Sequence, residues 1–281
     1  MIPAAFDYSR PQTLEEAVNL LAQHGEAAKL LAGGHSLIPA LKLRLAQPKT
    51  VIDIGRIADL SYIREQDGRI VVGAMTTHHA IETSALLEEK CPLLPEVARH
   101  IGDVQVRNRG TLAGSIVHAD PAADWPAAIL ALDAEMETVG PDGPRVIAAK
   151  KFFVDLFQTA LRSDEILREI RFPVTAKSVA YVKTVQRASG FAIAGVAVVV
   201  DAPRMTVSVG ITGVAAKAYR ATAVETKLAG QSLSAENMAA AAAKAANRVE
   251  PLGDIHASSE YRAHLAQLNT RRALVLAASR A

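Results

Sequence analysis

The stretch Leu31-Ala-Gly-Gly-His-Ser-Leu37 sits between an apolar run at residues 27–32 and a helix-prone segment at 37–45. The run reads as a strand, and Ser36 stands where a side-chain oxygen caps a helix. Gly33 and Gly34 let the backbone turn sharply between the two elements, with positive φ open to them and no Cβ in the way. The exposed N–H groups of such a turn attract an anion, and a phosphate suits them. A Gly-Gly turn alone is a common loop feature. What gives it meaning is a second glycine-bearing segment, Arg109-Gly-Thr-Leu-Ala-Gly-Ser-Ile-Val-His-Ala-Asp-Pro-Ala-Ala-Asp124. Two such loops, about eighty positions apart, predict a grip on the two ends of one extended ligand.

Taken together, the two segments resemble the FAD-binding segments of the flavoprotein (medium) subunits of molybdenum hydroxylases. That family includes the carbon monoxide dehydrogenase medium subunit and the FAD domain of xanthine dehydrogenase. The opening Met1-Ile-Pro-Ala-Ala-Phe-Asp-Tyr8, the phrase Gly73-Ala-Met-Thr-Thr-His-His79, Tyr261-Arg262 and Arg271-Arg272 also match, so the likeness covers nearly the whole chain. It implies an α+β protein: a two-lobed FAD-binding domain of the vanillyl-alcohol-oxidase (PCMH) type over residues 1–176, with subdomains at about 1–55 and 56–176, then a smaller α+β domain over 177–281. It further implies FAD on this chain, [2Fe-2S] clusters on a small partner subunit and the molybdenum cofactor on a large one, in a dimer of heterotrimers.

The resemblance also implies site residues. The first loop, Ala32, Gly33, Gly34, His35, Ser36 and Leu37, wraps the FAD pyrophosphate with backbone amides; Ser36 can add its hydroxyl. His35 is either a ring N–H donor to the phosphate or a surface group. The second loop is Thr111, Leu112, Ala113, Gly114 and Ser115, where the family often has Gly-Gly-Asn in place of Ala113-Gly114-Ser115. Asp124 matches a carboxylate that accepts from ribityl or ribose hydroxyls, whereas Asp120 reads as a helix N-cap ahead of Pro121. Lys183 fits a cation near the electron-rich end of the flavin. Leu167 matches an apolar residue beside the ring. Phe191 falls where carbon monoxide dehydrogenase has a tyrosine, and either covers the flavin face or packs in the core.

Composition narrows the alternatives. Half of the 281 residues are hydrophobic, ample for a core and far from the composition of a disordered chain. A net charge of +2 with 4% aromatic residues gives no basic, stacking surface for nucleic acid. Cys91 is the only cysteine, which excludes an internal disulfide and a cysteine-held cluster within the chain; it reads as a small buried apolar residue. The histidines show no ligand spacing, and adjacent His78 and His79 project in different directions, so no metal site is expected. No signal peptide is apparent, and the longest apolar run, residues 191–200, is about half of a membrane span. The chain reads as soluble and cytoplasmic.

In chain order, Thr13-Leu-Glu-Glu16 is a capping box for a helix with Leu14, Ala17, Val18 and Leu21 on one face, ended by Gly25. A strand at 51–54 follows the first loop, but without a G-x-G-x-x-G the order does not make a Rossmann unit. Residues 62–74 read as a hairpin around Asp67-Gly68 and 135–148 as another around residues 141–144. A helix is expected from Thr76 or Thr77 to the region of Leu86, another from near Pro92 to His100, and a third over 121–132 with Pro121 in its first turn. Residues 103–116 show little helical periodicity. Residues 165–172 read as a strand. Beyond a boundary near 173–178, strands at 179–186, 193–200 and 205–211 precede helices at 221–228, 235–248 and 260–278.

No Ser-His-Asp order or acid pair stands out, so no catalytic residue is assigned to this chain; a flavin brings its own redox chemistry. The expected function is electron transfer from a partner's clusters through FAD to an external acceptor. The alternative is a stand-alone flavin oxidoreductase of the vanillyl-alcohol-oxidase type, which would need a longer substrate domain than this chain has.

Overall fold

The computed structural model describes residues 1–280. Its N-terminal part runs β1 (Asp7–Ser9), α1 (Leu14–His24), β2 (Ala28–Leu31), α2 (Leu37–Lys42) and β3 (Thr50–Asp53). The three strands form a parallel sheet in the order β1-β3-β2. Thr13 Oγ1 accepts from Glu16 N at 3.1 Å, and the Glu16 carboxylate reaches back to Gln12 N at 2.7 Å. Ala17, Val18 and Leu21 of α1 are buried against Ile52 and Ile54. Helix α2 is shorter than its sequence suggests: it stops at Lys42, and Arg44 takes a positive φ of 58°. Ser36 precedes it but its hydroxyl makes no capping hydrogen bond.

The middle of the chain opens with the hairpin β4 (Ile63–Gln66) and β5 (Arg69–Gly73). Asp67 and Gly68 both have positive φ, as a two-residue hairpin turn requires. Short helices follow: α3 (His78–Glu82), α4 (Ala85–Lys90), α5 (Leu93–Arg99), α6 (Val104–Arg109), α7 (Leu112–His118) and α8 (Trp125–Ala131). Then come β6 (Glu135–Gly140), β7 (Gly143–Ala148), α9 (Ala149–Phe152), the small pair β8 (Phe153–Asp155) and β9 (Gln158–Thr159), and β10 (Ile166–Pro173). Five strands make an antiparallel sheet, β4-β5-β10-β6-β7. Ile70, Val72, Met136, Ile170 and Phe172 of this sheet join Ile116 and Trp125 of the helices in the main core.

Three expectations change here. The helix expected from Thr77 onward breaks after Glu82, because Ser84 recaps the chain by accepting from Leu87 N at 3.3 Å. Residues 103–116 are helical after all. Asp103 caps α6 through Val106 N at 2.9 Å, and Thr111 caps α7 through Gly114 N at 3.2 Å. Each helix is too short to show a periodic apolar stripe, so only the caps betray it. The helix expected over 121–132 begins at Trp125, with Pro126, not Pro121, in its first turn. Asp120 accordingly caps no helix; its Oδ1 accepts from Ala122 N at 2.8 Å in a local turn.

The C-terminal part carries β11 (Val179–Val185), β12 (Ala192–Asp201), β13 (Thr206–Thr212), β14 (Tyr219–Arg220), α10 (Thr222–Leu228), α11 (Ala235–Ala242) and α12 (Ser259–Ala278). The strands form one antiparallel sheet in sequence order. Leu265, Ala266, Ala273 and Leu274 of α12 pack on Val196, Val198 and Val209 in a second core. Helix α11 stops at Ala242, short of the expected Arg248, which itself adopts a positive φ of 62°. Among the described residues no helix is long and apolar enough to cross a membrane.

Candidate cofactor-binding site

The two glycine segments lie against each other. A Cβ placed on Gly33 would come within 2.9 Å of both the Arg109 carbonyl carbon and the Gly110 Cα, with the Arg109 oxygen nearer still. Only a residue without a side chain fits that crossing. One on Gly114 would sit 3.6 Å from the Ala32 Cβ. The two segments are therefore neighbours, in contact where Gly33 crosses the backbone of Arg109 and Gly110.

The phrase Gly73 to His79 explains how the second segment is held. His78 N donates to Gly110 O at 2.9 Å, Leu112 N to Thr76 O at 3.0 Å and Ala113 N to Ala74 O at 3.3 Å. With Gly114 N on the Thr111 hydroxyl and Ser115 N on Thr111 O at 3.1 Å, the amides from Leu112 to Ser115 all have partners within the chain. The first loop is the opposite case. Among the described residues, no backbone or side-chain acceptor takes a hydrogen bond from the amides of Gly33, Gly34, His35 or Ser36. Four consecutive bare amides, in a turn where Gly34 has φ of 82°, are what an anionic oxygen cluster satisfies. His35 is exposed beside them.

Beneath the second segment lies His78, 4% exposed, whose Nδ1 accepts from the Trp125 indole N–H at 3.1 Å. An indole can only donate, so the neutral ring carries its proton on Nε2. Burial, with His35 and Arg107 nearby, lowers its pKa to about 4.

Helix α7 leads from the crossing to the segment that ends in Asp124, and this carboxylate is 5% exposed. Tyr181 donates its hydroxyl to Asp124 Oδ1 at 2.5 Å, and Lys183 Nζ pairs with the same oxygen at 2.9 Å. Burial raises the Asp124 pKa, and the Lys183 charge and the two hydrogen bonds pull it back. Oδ2 accepts no hydrogen bond among the described residues, which leaves it open to a hydroxyl donor. The Lys183 ammonium also donates to His100 O at 2.7 Å and Gly190 O at 2.8 Å. Lys183 thus pairs with Asp124 while bonding two loop carbonyls, and so ties both loops to that carboxylate. Gly190 belongs to the turn that carries Phe191. That ring is 46% exposed, which removes the core-packing reading. Leu167 is buried in the main core on β10.

The sequence thus points to Asp124 and Lys183, and the fold brings them together; it does not single out Tyr181 or His78. For Tyr181 a signal exists, since residues 181 and 183 on a strand share one face. For His78 nothing in the sequence marks a buried histidine. Among the described residues no three His, Cys, Asp or Glu side chains cluster as metal ligands.

Residues 4–175 match the family described as the FAD binding domain in molybdopterin dehydrogenase, and residues 179–277 match the CO dehydrogenase flavoprotein C-terminal domain. The chain belongs to the FAD-binding subunits of molybdenum hydroxylases. It is 41% identical to the carbon monoxide dehydrogenase medium chain of Hydrogenophaga pseudoflava over 98% of this chain and 97% of that one. The nicotine 6-hydroxylase medium subunit of Paenarthrobacter nicotinovorans is 36% identical over 98% of both chains. Among solved structures, carbon monoxide dehydrogenase from Hydrogenophaga pseudoflava superposes with a TM-score of 0.96 at 42% identity, covering 100% of this chain and 99% of its counterpart. As a medium subunit of such complexes, this flavoprotein is an oxidoreductase component, and its fold is the two-domain FAD-binding fold of those relatives.

Proposed function

We propose that FAD lies with its pyrophosphate on Ala32 to Leu37, against the surface of Thr111 to Ser115, and its ribityl hydroxyls toward Asp124. The four bare amides of Gly33 to Ser36 carry this reading: they form an anion cradle that the chain itself leaves unfilled. Bound there, FAD would supply a centre that accepts electrons one at a time and can store two. The chain's own work is to hold and orient: Gly33 allows the close crossing, Asp124 accepts from a hydroxyl, Lys183 balances its charge, and Leu167 and Phe191 border the ring.

Electrons reach this site from [2Fe-2S] clusters of a small partner subunit and come originally from a molybdenum centre on a large one; an external acceptor takes them away. We place the domain boundary between residues 176 and 177, with subdomains at about 1–55 and 56–176, and the assembly in the cytoplasm as a dimer of heterotrimers. The family match supports this division of labour. Elemental and cofactor analysis of the native complex tests it: flavin, iron and molybdenum are expected together, and a native complex with flavin but no iron overturns it.

A further inference from the structure

We propose that Tyr181 is a positioning residue of the FAD site: its hydroxyl holds Asp124 by Oδ1 so that Oδ2 faces the hydroxyl-bearing chain of the cofactor. The inference rests on the FAD reading above and goes beyond it by assigning the C-terminal sheet a part in the site. Tyr181 is buried at 2% exposure and fixed at both ends. Its backbone N–H donates to Glu96 Oε1 at 2.9 Å, and its ring packs edge-on against His100 with centroids 5.3 Å apart. The sheet leaves room for the hydroxyl: a Cβ on Gly195 of β12, across from Lys183, would stand 3.2 Å from the Tyr181 Cζ.

The rest of the segment before Asp124 is stitched to the same sheet. Ala192 N donates to Ala122 O at 3.0 Å, Gly213 N to Pro121 O at 2.6 Å, and the Thr212 hydroxyl lies 2.7 Å from both Pro121 O and Ala123 O. Strands β12 and β13 therefore fix the backbone of residues 121–123, and Tyr181 together with Lys183 of β11 fixes the carboxylate. Both donors crowd one oxygen. Oδ2 has no donor among the described residues and is not one of the sealed-off polar atoms, so it is a place for a donor from outside the chain. The polyol of a flavin cofactor presents such hydroxyls.

A double-mutant cycle on the full chain tests this, with FAD dissociation constants from flavin fluorescence for wild type, Tyr181→Phe, Asp124→Asn and the double variant. Tyr181→Phe is expected to weaken FAD about tenfold and to add less than twofold in the Asp124→Asn background. Tyr219→Phe, which removes another buried hydroxyl, bonded to Ala245 O at 3.1 Å, serves as the structural control and should leave the affinity unchanged. Equal effects of Tyr181→Phe in both backgrounds, or none in either, overturn the positioning role while the FAD reading stands. A wild-type chain that binds no FAD sinks the FAD reading itself. If Tyr181→Phe does not fold, a crystal structure of the FAD-loaded wild type decides: Asp124 Oδ1 on Tyr181 with Oδ2 on a cofactor hydroxyl is expected, and an Oδ2 turned elsewhere refutes the proposal.

Discussion

Replacing Gly33 by alanine attacks the crossing on which the cradle depends. The new methyl would stand 2.9 Å from the Gly110 Cα and as close to the Arg109 carbonyl carbon. Carbon atoms in contact settle at about 3.5–4.0 Å, so the loop must retreat by roughly 0.6–1 Å. The opposing atoms are backbone, held by the pairing of Gly110 and Leu112 with His78 and Thr76, and do not swing aside. A retreat of that size takes amide–phosphate hydrogen bonds out of range. Each such charge-assisted bond contributes about 1.5–3 kcal/mol, so losing two of the four donors from Gly33 to Ser36 costs about 3–6 kcal/mol. That corresponds to an FAD dissociation constant raised by roughly 100-fold or more. The assay is fluorescence titration of the flavin-free chain with FAD, with thermal unfolding as the check on folding. Gly253→Ala is the control, because a Cβ there meets only Ser259 N at an ordinary 3.6 Å. A folded Gly33→Ala variant that binds FAD within about threefold of wild type would refute the reasoning, since a tenfold change is only about 1.4 kcal/mol.

Two further outcomes follow from the buried groups. His78 is neutral in the folded chain with its pKa lowered to about 4 from the ordinary 6.5. The unfolded chain therefore binds a proton first, and the stability contributed by His78 is whole above pH 6.5 and lost as the pH falls toward 4. The loss amounts to about 3 kcal/mol, and His78→Asn should show a correspondingly flatter dependence of its urea midpoint on pH across that window. Lys183→Met strands the Asp124 charge, since the two side chains are 3% and 6% exposed. Urea unfolding should show about 3–5 kcal/mol of destabilisation, and adding Asp124→Asn should recover part of it; a Lys183→Met chain as stable as wild type would contradict the ion pair.

The sequence carried the larger elements plainly. The capping box at Thr13 starts α1, the positive-φ pair Asp67-Gly68 makes the first hairpin, and three long apolar strands followed by helices form the C-terminal part. What it concealed was short or non-local. Helices α6 and α7 span less than two turns each, too little for an apolar stripe, and their start signals, Asp103 and Thr111, look like ordinary loop residues. Pro121 invited a helix start, but its carbonyl is consumed by Thr212 and Gly213, which lie far along the chain. The same holds at the site. Glycine spacing announced two segments, yet nothing local says that Gly33 rests on Gly110, or that Lys183 spends its charge on Asp124, His100 and Gly190.

The cradle distinguishes its two segments by their amides, and hydrogen exchange read by mass spectrometry can see that difference directly. In the full chain without flavin, residues 33–36 should exchange fast and residues 112–115 slowly, because only the latter are bonded within the chain. On adding FAD, protection should rise at 33–36 and change little at 112–115. Bound flavin with no added protection at 33–36 would contradict the account.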